Sequence, residues 1–287
     1  CWYKKNKRKL PWRKLSRKKL NPYYVMISEF MLQQTTVNNV VKRFPEFISL
    51  WPTLKKLSSA KENQILQFWS GLGYYARAKN LLKASKIISL QYNNIIPKNY
   101  ENLISLPGVG DYTAKAIMGI GYNQSVMPVD VNIERILARL YAVKKILNNS
   151  KKDIHLLASF YLSKKKSSNL IQAFMDFGSI VCLQKNPKCQ ICILKNYCKA
   201  NDKKITNKIP LRKNSAKNKE IKYTRAYVII NNENKILIRR RKPNGMLASM
   251  LEIPNDDWVK EKKLLKRDNS ISFLRNKLSI NCSLKYS

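Results

Sequence analysis

Leu106-Pro107-Gly108-Val109-Gly110 stands between two helical patterns, at residues 99–105 and 111–121, and its reading decides the fold. Two glycines within three residues let the backbone turn sharply and approach another molecule closely. Amides in this turn, and at the start of the helix that Asp111 opens, suit a phosphate without reading any base. The stretch reads as a helix-hairpin-helix element, and taken alone it reads equally as a tight interhelical turn. Its surroundings are helical throughout. From Asn21 to about Ala200, amphipathic stretches are broken at intervals by Pro and Gly. Helices are expected at residues 23–42, 61–70, 75–91, 99–105, 111–121, 132–143, 153–164 and 170–182. Asn21-Pro22 supplies an N-cap followed by proline at the first helical position. Glu29 then falls two turns inside a helix. Its neighbours one turn away are Val25, Met26, Leu32 and Gln33, so its carboxylate faces a core or the wall of a cleft.

Downstream, Cys182, Cys189, Cys192 and Cys198 form a C-x6-C-x2-C-x5-C pattern in a chain of six cysteines. A structural zinc site usually presents two short C-x2-C knuckles, whereas a [4Fe–4S] cluster tolerates one close pair with two unevenly placed flanking thiols. The spacing therefore points to [4Fe–4S], with zinc as the alternative and scattered buried thiols as the bland reading.

Composition narrows the partner. Lys and Arg number 56 against 17 Asp and Glu, a formal net charge of +39, which suits a polyanion, most simply nucleic acid. Lysine is abundant everywhere in the chain, so part of this charge reflects general composition. No apolar run approaches the roughly 18–20 residues of a membrane span. Residues 1–20 are basic without an apolar core, unlike a secretory signal. Metal-type cysteine spacing and no export signal lead to the expectation of a cytoplasmic, nucleoid-associated protein. A start at Cys1 leads to the expectation of a fragment. Residues 1–200 read as one catalytic region with a cysteine loop at 182–198, and residues 201–222 as a lysine-rich connector around Pro210. Residues 223–287 form a second, short domain, opened by β-type runs at 225–230 and 235–240 on either side of Asn231-Asn232-Glu233-Asn234.

Several segments in order carry a family resemblance: Leu10-Pro11-Trp12-Arg13, Ser28-Glu29-Phe30-Met31-Leu32-Gln33-Gln34-Thr35, Gly71-Leu72-Gly73-Tyr74-Tyr75-Ala76-Arg77-Ala78, the hairpin, Val129-Asp130 and the four cysteines. The chain resembles adenine DNA glycosylases of the MutY family, within the endonuclease III-like helix-hairpin-helix superfamily. Gly245-Met246-Leu247 and Leu251-Glu252-Ile253-Pro254 resemble the beginning of the Nudix-like domain of such enzymes. The resemblance implies a mainly α fold of two helical subdomains with a [4Fe–4S] cluster loop, followed by an incomplete α+β Nudix-like domain. It implies a monomeric enzyme that releases adenine from A:8-oxoguanine or A:G pairs in double-stranded DNA.

By the same resemblance, Glu29 is the general acid that adenine departure needs. An apolar helix face would keep it protonated. Asp130 is the carboxylate that stabilises positive charge on the sugar. From its position alone, Asp130 is an N-cap for the helix at Asn132, and the two roles coexist. Tyr112 occupies the place of the Schiff-base lysine of bifunctional relatives, which implies a monofunctional enzyme. Trp12 and Arg13 fall in the adenine pocket. Gln34, with Thr35 beside it, and Tyr74 act at the opened base pair. Gln172 contacts adenine or the attacking water, and Gly108 and Gly110 hold phosphate. Lys185, Lys188, Lys195 and Lys199 surround the cysteine loop as further phosphate contacts. Read blandly, Trp12 and Tyr74 are packed aromatics, Gln34 is solvated and Gln172 bridges helices. Val131 departs from the family pattern, which has glycine after the aspartate, and a β-branched residue restricts the backbone there. The only histidine, His155, lies in the helical region, so the histidine loop with which relatives read 8-oxoguanine is expected to be absent. The competing functions are a bifunctional glycosylase/lyase and a non-catalytic iron–sulfur DNA-binding protein.

Overall fold

The computed structural model describes residues 2–13, 15–16, 19–144, 147–211, 221–242, 245, 247 and 250–261. Cys1, Cys282, Met246, the connector at 212–220 and residues 262–287 lie outside the described residues. Two compact units emerge, Cys1–Lys213 and Asn214–Ser287.

The first unit is helical. Its elements are α1 (Trp2–Asn6), the short strand pair β1 (Leu15–Ser16) and β2 (Lys19–Leu20), α2 (Pro22–Leu32), α3 (Val37–Leu50), α4 (Leu54–Ser58), α5 (Glu62–Phe68), α6 (Ala76–Gln91), α7 (Tyr100–Ile104), α8 (Asp111–Ala116), α9 (Val131–Leu140), α10 (Leu147–Ser159), α11 (Ser167–Ile180) and α12 (Lys199–Asp202). Helix α2 starts as its sequence dictates: the Asn21 side chain accepts from the Tyr23 amide and Pro22 takes the first turn. It is apolar around most of its circumference and is buried accordingly, with Val25, Met26, Ile27, Phe30 and Met31 almost fully covered. Phe44, Phe47, Trp69, Leu81 and Ile88 from its neighbours complete the centre of the core. No described helix is long and apolar enough to cross a membrane.

Two expected helices are divided. The stretch at 23–42 is broken after Leu32, because Gln34 takes a left-handed conformation (φ 56°) and turns the chain before α3 begins. The stretch at 111–121 is α-helical only to Ala116 and continues as a π-helical turn over Ile117–Gly121. The hairpin between α7 and α8 is as tight as its glycines suggested. Gly108 has φ +79°, and a Cβ there would lie 2.8 Å from both Asn80 Cβ and Phe30 Cε1.

The second unit holds little regular structure. Strand β3 (Arg239–Arg240) pairs antiparallel with β4 (Leu251–Glu252), Arg239 opposite Glu252. Single bridges join Tyr223 to Val259, Ala226 to Asn255 and Ile230 to Ile236. The expected hairpin closes through its turn, where Asn231 Oδ1 accepts from the amides of Glu233 and Lys235. Its flanks pair largely with residues 251–259. Val228, Ile230, Ile238 and Trp258 are left more than half exposed.

The expected fold class is corrected on two points. The architecture is mainly α around a helix-hairpin-helix element, followed by a small incomplete β element. Among the described residues no group of three or more Cys, His, Asp or Glu side chains is arranged to hold a metal ion, so a [4Fe–4S] loop is not part of the fold.

The hairpin geometry has a measurable consequence. Gly108→Ala adds a side chain in a left-handed conformation against two packed neighbours, and it should lower stability by about 1–3 kcal/mol. Denaturant unfolding followed by helical circular dichroism checks this, and a change of only a few tenths would contradict the packing described.

Candidate active site

A cavity of about 670 Å³ opens among α2, α8, α9, α11 and the N-terminal segment. Glu29, Asp130, Tyr112, Trp12, Arg13, Gln34, Thr35 and Gln172 all line it. Tyr74, Gly108 and Gly110 do not line it. Tyr74 lies in the loop before α6 with 60% of its surface exposed.

Glu29 is carried into the cavity wall by α2 and is only 7% exposed. Burial raises its pKa to about 7. A hydrogen bond from the Tyr112 hydroxyl works against that rise, the nearby Asp130 charge adds to it and the Arg13 charge opposes it. Tyr112, on the second residue of α8, is pushed well above the ordinary tyrosine range by burial and then by the Glu29 and Asp130 charges. It is therefore a protonated donor to Glu29.

Asp130 caps α9. Its Oδ1 accepts from the amides of Asn132 (3.0 Å) and Ile133 (2.8 Å), and its Oδ2 accepts from Asn132 Nδ2 (2.7 Å). Burial pushes its pKa up, while these three bonds and the Arg135 charge pull down, and burial prevails. The bonds fix the carboxylate in one orientation. Val131 does not disturb this cap. It occupies the first helical position of α9 with its side chain 60% exposed, and the extended conformation at Asp130 (φ −89°, ψ 177°) suits any residue.

The sequence did not signal the partner of Arg13. Asp176 on α11 is fully buried, and Arg13 grips it with both terminal nitrogens, Nη1 to Oδ2 at 2.6 Å and Nη2 to Oδ1 at 2.9 Å. Arg8 adds Nε to Oδ1 at 2.5 Å and its amide to Oδ2 at 3.0 Å. Burial alone would raise the Asp176 pKa, but the two arginines outweigh it and hold the carboxyl below its ordinary value. No helical period marks Asp176 out, because the residues that pair with it are more than 160 positions away. Trp12 is buried edge-on against Phe44, ring centroids 5.6 Å apart. The Gln172 amide donates to the Ser168 carbonyl and hydroxyl.

The four cysteines share one neighbourhood away from this cavity. Cys182, Cys189, Cys192 and Cys198 line a small cavity of about 30 Å³ beside Arg139. Arg139 Nη1 donates to Cys182 Sγ at 3.3 Å, and Cys198 Sγ donates to the Arg139 carbonyl at 3.6 Å. Burial pushes the Cys192 and Cys198 thiols up. With no metal-holding group among the described residues, the expectation of a [4Fe–4S] cofactor on these four residues is corrected. The exposed Lys185, Lys188, Lys195 and Lys199 surround this loop.

Residues 27–172 match the HhH-GPD superfamily of base excision DNA repair proteins. The chain is 36% identical over 298 residues to the adenine DNA glycosylase of Buchnera aphidicola subsp. Baizongia pistaciae, covering 97% of this chain and 80% of that one. It is 37% identical to the adenine DNA glycosylase of Buchnera aphidicola subsp. Acyrthosiphon pisum, covering 95% and 79%. Among solved structures, a thermostable thymine-DNA glycosylase superposes with a TM-score of 0.63 at 25% identity, over 70% of this chain and 92% of that one. Together with the hairpin and the cavity, these similarities place the chain in the adenine DNA glycosylase family of the HhH-GPD superfamily, enzymes of base excision repair.

Proposed function

We propose that this DNA N-glycosylase removes adenine paired with 8-oxoguanine or guanine in double-stranded DNA and does so as a monofunctional enzyme. The observation that carries the reading is that a buried Glu29, its pKa raised to about 7, and an oriented Asp130 line one cavity of about 670 Å³. The target bond is out of reach while adenine is stacked, so the nucleotide must leave the duplex to enter that cavity. Glu29 donates a proton to a ring nitrogen of adenine. The bond between sugar C1′ and adenine N9 breaks, its electron pair leaving with the base. Asp130, held by its three hydrogen bonds, stabilises the positive charge left on the sugar. Water adds to C1′ and loses its proton to the Glu29 carboxylate, giving free adenine, an abasic site and the original enzyme.

Arg13 and Trp12 line the place where the base would lie. The Asp176 anchor fixes the Arg13 guanidinium before substrate arrives, which supports a positioning contact to adenine. Tyr112 supports the monofunctional reading, since its hydroxyl serves Glu29 and supplies no amine for a Schiff base. The exposed lysines and the amides around Gly108 and Gly110 suit backbone phosphates.

Glu29→Gln should still bind mispaired DNA while single-turnover adenine release falls by about 10²–10⁴-fold, the usual worth of a positioned proton donor. A rate within a few-fold of the parent would refute the assignment.

The raised pKa of Glu29 fixes the pH profile. The acid form is needed, so adenine release per encounter should fall as pH rises through about 7. Stability moves in the same direction. A group raised from 4.5 to about 7 by folding contributes fully below 4.5 and loses that contribution as pH rises through 7. That loss amounts to about 3 kcal/mol. Denaturant unfolding at pH 5 and pH 8.5 should show it in the parent and not in Glu29→Gln, and parallel profiles would contradict it.

Borohydride added during turnover should trap no covalent enzyme–DNA adduct. Efficient trapping would establish a lyase step and overturn the monofunctional reading.

A further inference from the structure

Arg77, in the first turns of α6, is buried, and its Nε is the one buried side-chain polar atom among the described residues with no hydrogen-bond partner. An unsatisfied group at the end of a guanidinium that is otherwise saturated indicates a side chain held for what its other nitrogens do. Nη1 donates to the carbonyls of Phe30 (3.2 Å), Met31 (2.9 Å) and Gln33. Nη2 donates to Thr35 Oγ1 (2.9 Å) and to the carbonyls of Leu72 (2.9 Å) and Gly73 (3.0 Å).

These acceptors follow a pattern. Gln33 and Thr35 bracket Gln34, and Leu72 and Gly73 immediately precede Tyr74. Gln34 and Tyr74 are the two exposed residues here with left-handed backbones, φ 56° and 49°. Such conformations are unfavourable for side-chain-bearing residues and persist only where neighbours hold them. One planar fork thus fixes the chain on both sides of Gln34 and up to Tyr74, and its carbon lies 5.6 Å from the Tyr74 ring centroid. An ammonium group has neither the two-armed geometry nor the reach to replace it.

We propose that Arg77 is a positioning residue that joins Gln34 and Tyr74 into one rigid element for opening the duplex, acting on extrusion of the nucleotide and not on bond cleavage. The inference rests on the assignment of Gln34 and Tyr74 to the opened base pair.

The test compares single-turnover adenine release from two duplexes. In one, the adenine is stacked opposite guanine. In the other, mismatched flanking pairs leave it already unstacked. Displacements of about 1 Å remote from the chemistry can cost on the order of 10²-fold. Arg77→Lys should therefore slow release from the stacked duplex by about tenfold or more, and from the opened duplex by less than about twofold. Equal losses on both, the result of a merely structural role, or no loss on either, would overturn the inference. Gln34→Ala and Tyr74→Ala, measured alongside, should lose more on the stacked duplex. If they do not, the assignment of that pair fails and this inference with it; if they do and Arg77→Lys does not, only the Arg77 inference fails. Should Arg77→Lys not fold, Thr35→Val removes one acceptor of the fork and must show the same split at smaller amplitude, and its absence would count against the proposal.

Discussion

A carboxylic acid buried on an apolar helix is the constraint on which the rest of this molecule depends. Helix α2 covers nearly all of its side chains with core, so Glu29 meets solvent only through the cavity. Desolvation makes the neutral acid the cheaper form and brings its pKa to about 7. An isolated carboxyl in such a place would stay neutral well above that. The Tyr112 hydrogen bond and the Arg13 charge restrain the rise, so both protonation states are accessible near neutral pH. That balance is what a group needs in order to give a proton and take it back.

Each neighbouring element serves that balance from a different side. Helix α8 delivers Tyr112 directly behind the hairpin that Gly108 permits. Helix α9 delivers Asp130, whose capping bonds and orientation are one and the same arrangement, so helix stability and site geometry share three hydrogen bonds. Helix α11 delivers Asp176, which engages Arg8 and Arg13 so fully that its pKa falls below the ordinary value although burial alone would raise it. Burial thus raises the Glu29 pKa, while two arginines hold that of Asp176 down. The far end of α2 is closed by Arg77, which takes carbonyls from the last turn that would otherwise lack donors.

Local signals made much of this legible beforehand. Asn21-Pro22 marks the start of α2, the hairpin glycines mark the turn before α8, and Asp130 reads as a cap before anything is known of its chemistry. What escaped prediction is long-range. The break after Leu32 has no Gly or Pro to announce it, and it depends on Arg77, more than forty positions away. Asp176 acquires meaning only once folding brings the N-terminal arginines onto α11. Pro45, which ordinarily ends a helix, lies inside α3, so the periodic apolar residues Val40, Phe44 and Phe47 outweigh it. The cysteine spacing did indicate proximity, since all four residues reach one small cavity. It did not indicate their chemistry there, since no metal-holding group is found among the described residues.

The central claim is that folding lifts one particular carboxyl to neutrality. Infrared difference spectroscopy of parent minus Glu29→Gln, recorded across pH, isolates the C=O stretch of that single protonated acid. The account predicts a band that persists at pH 6 and titrates away near pH 7. A band that is already gone at pH 5.5, the behaviour of an ordinary solvated glutamate, would contradict it.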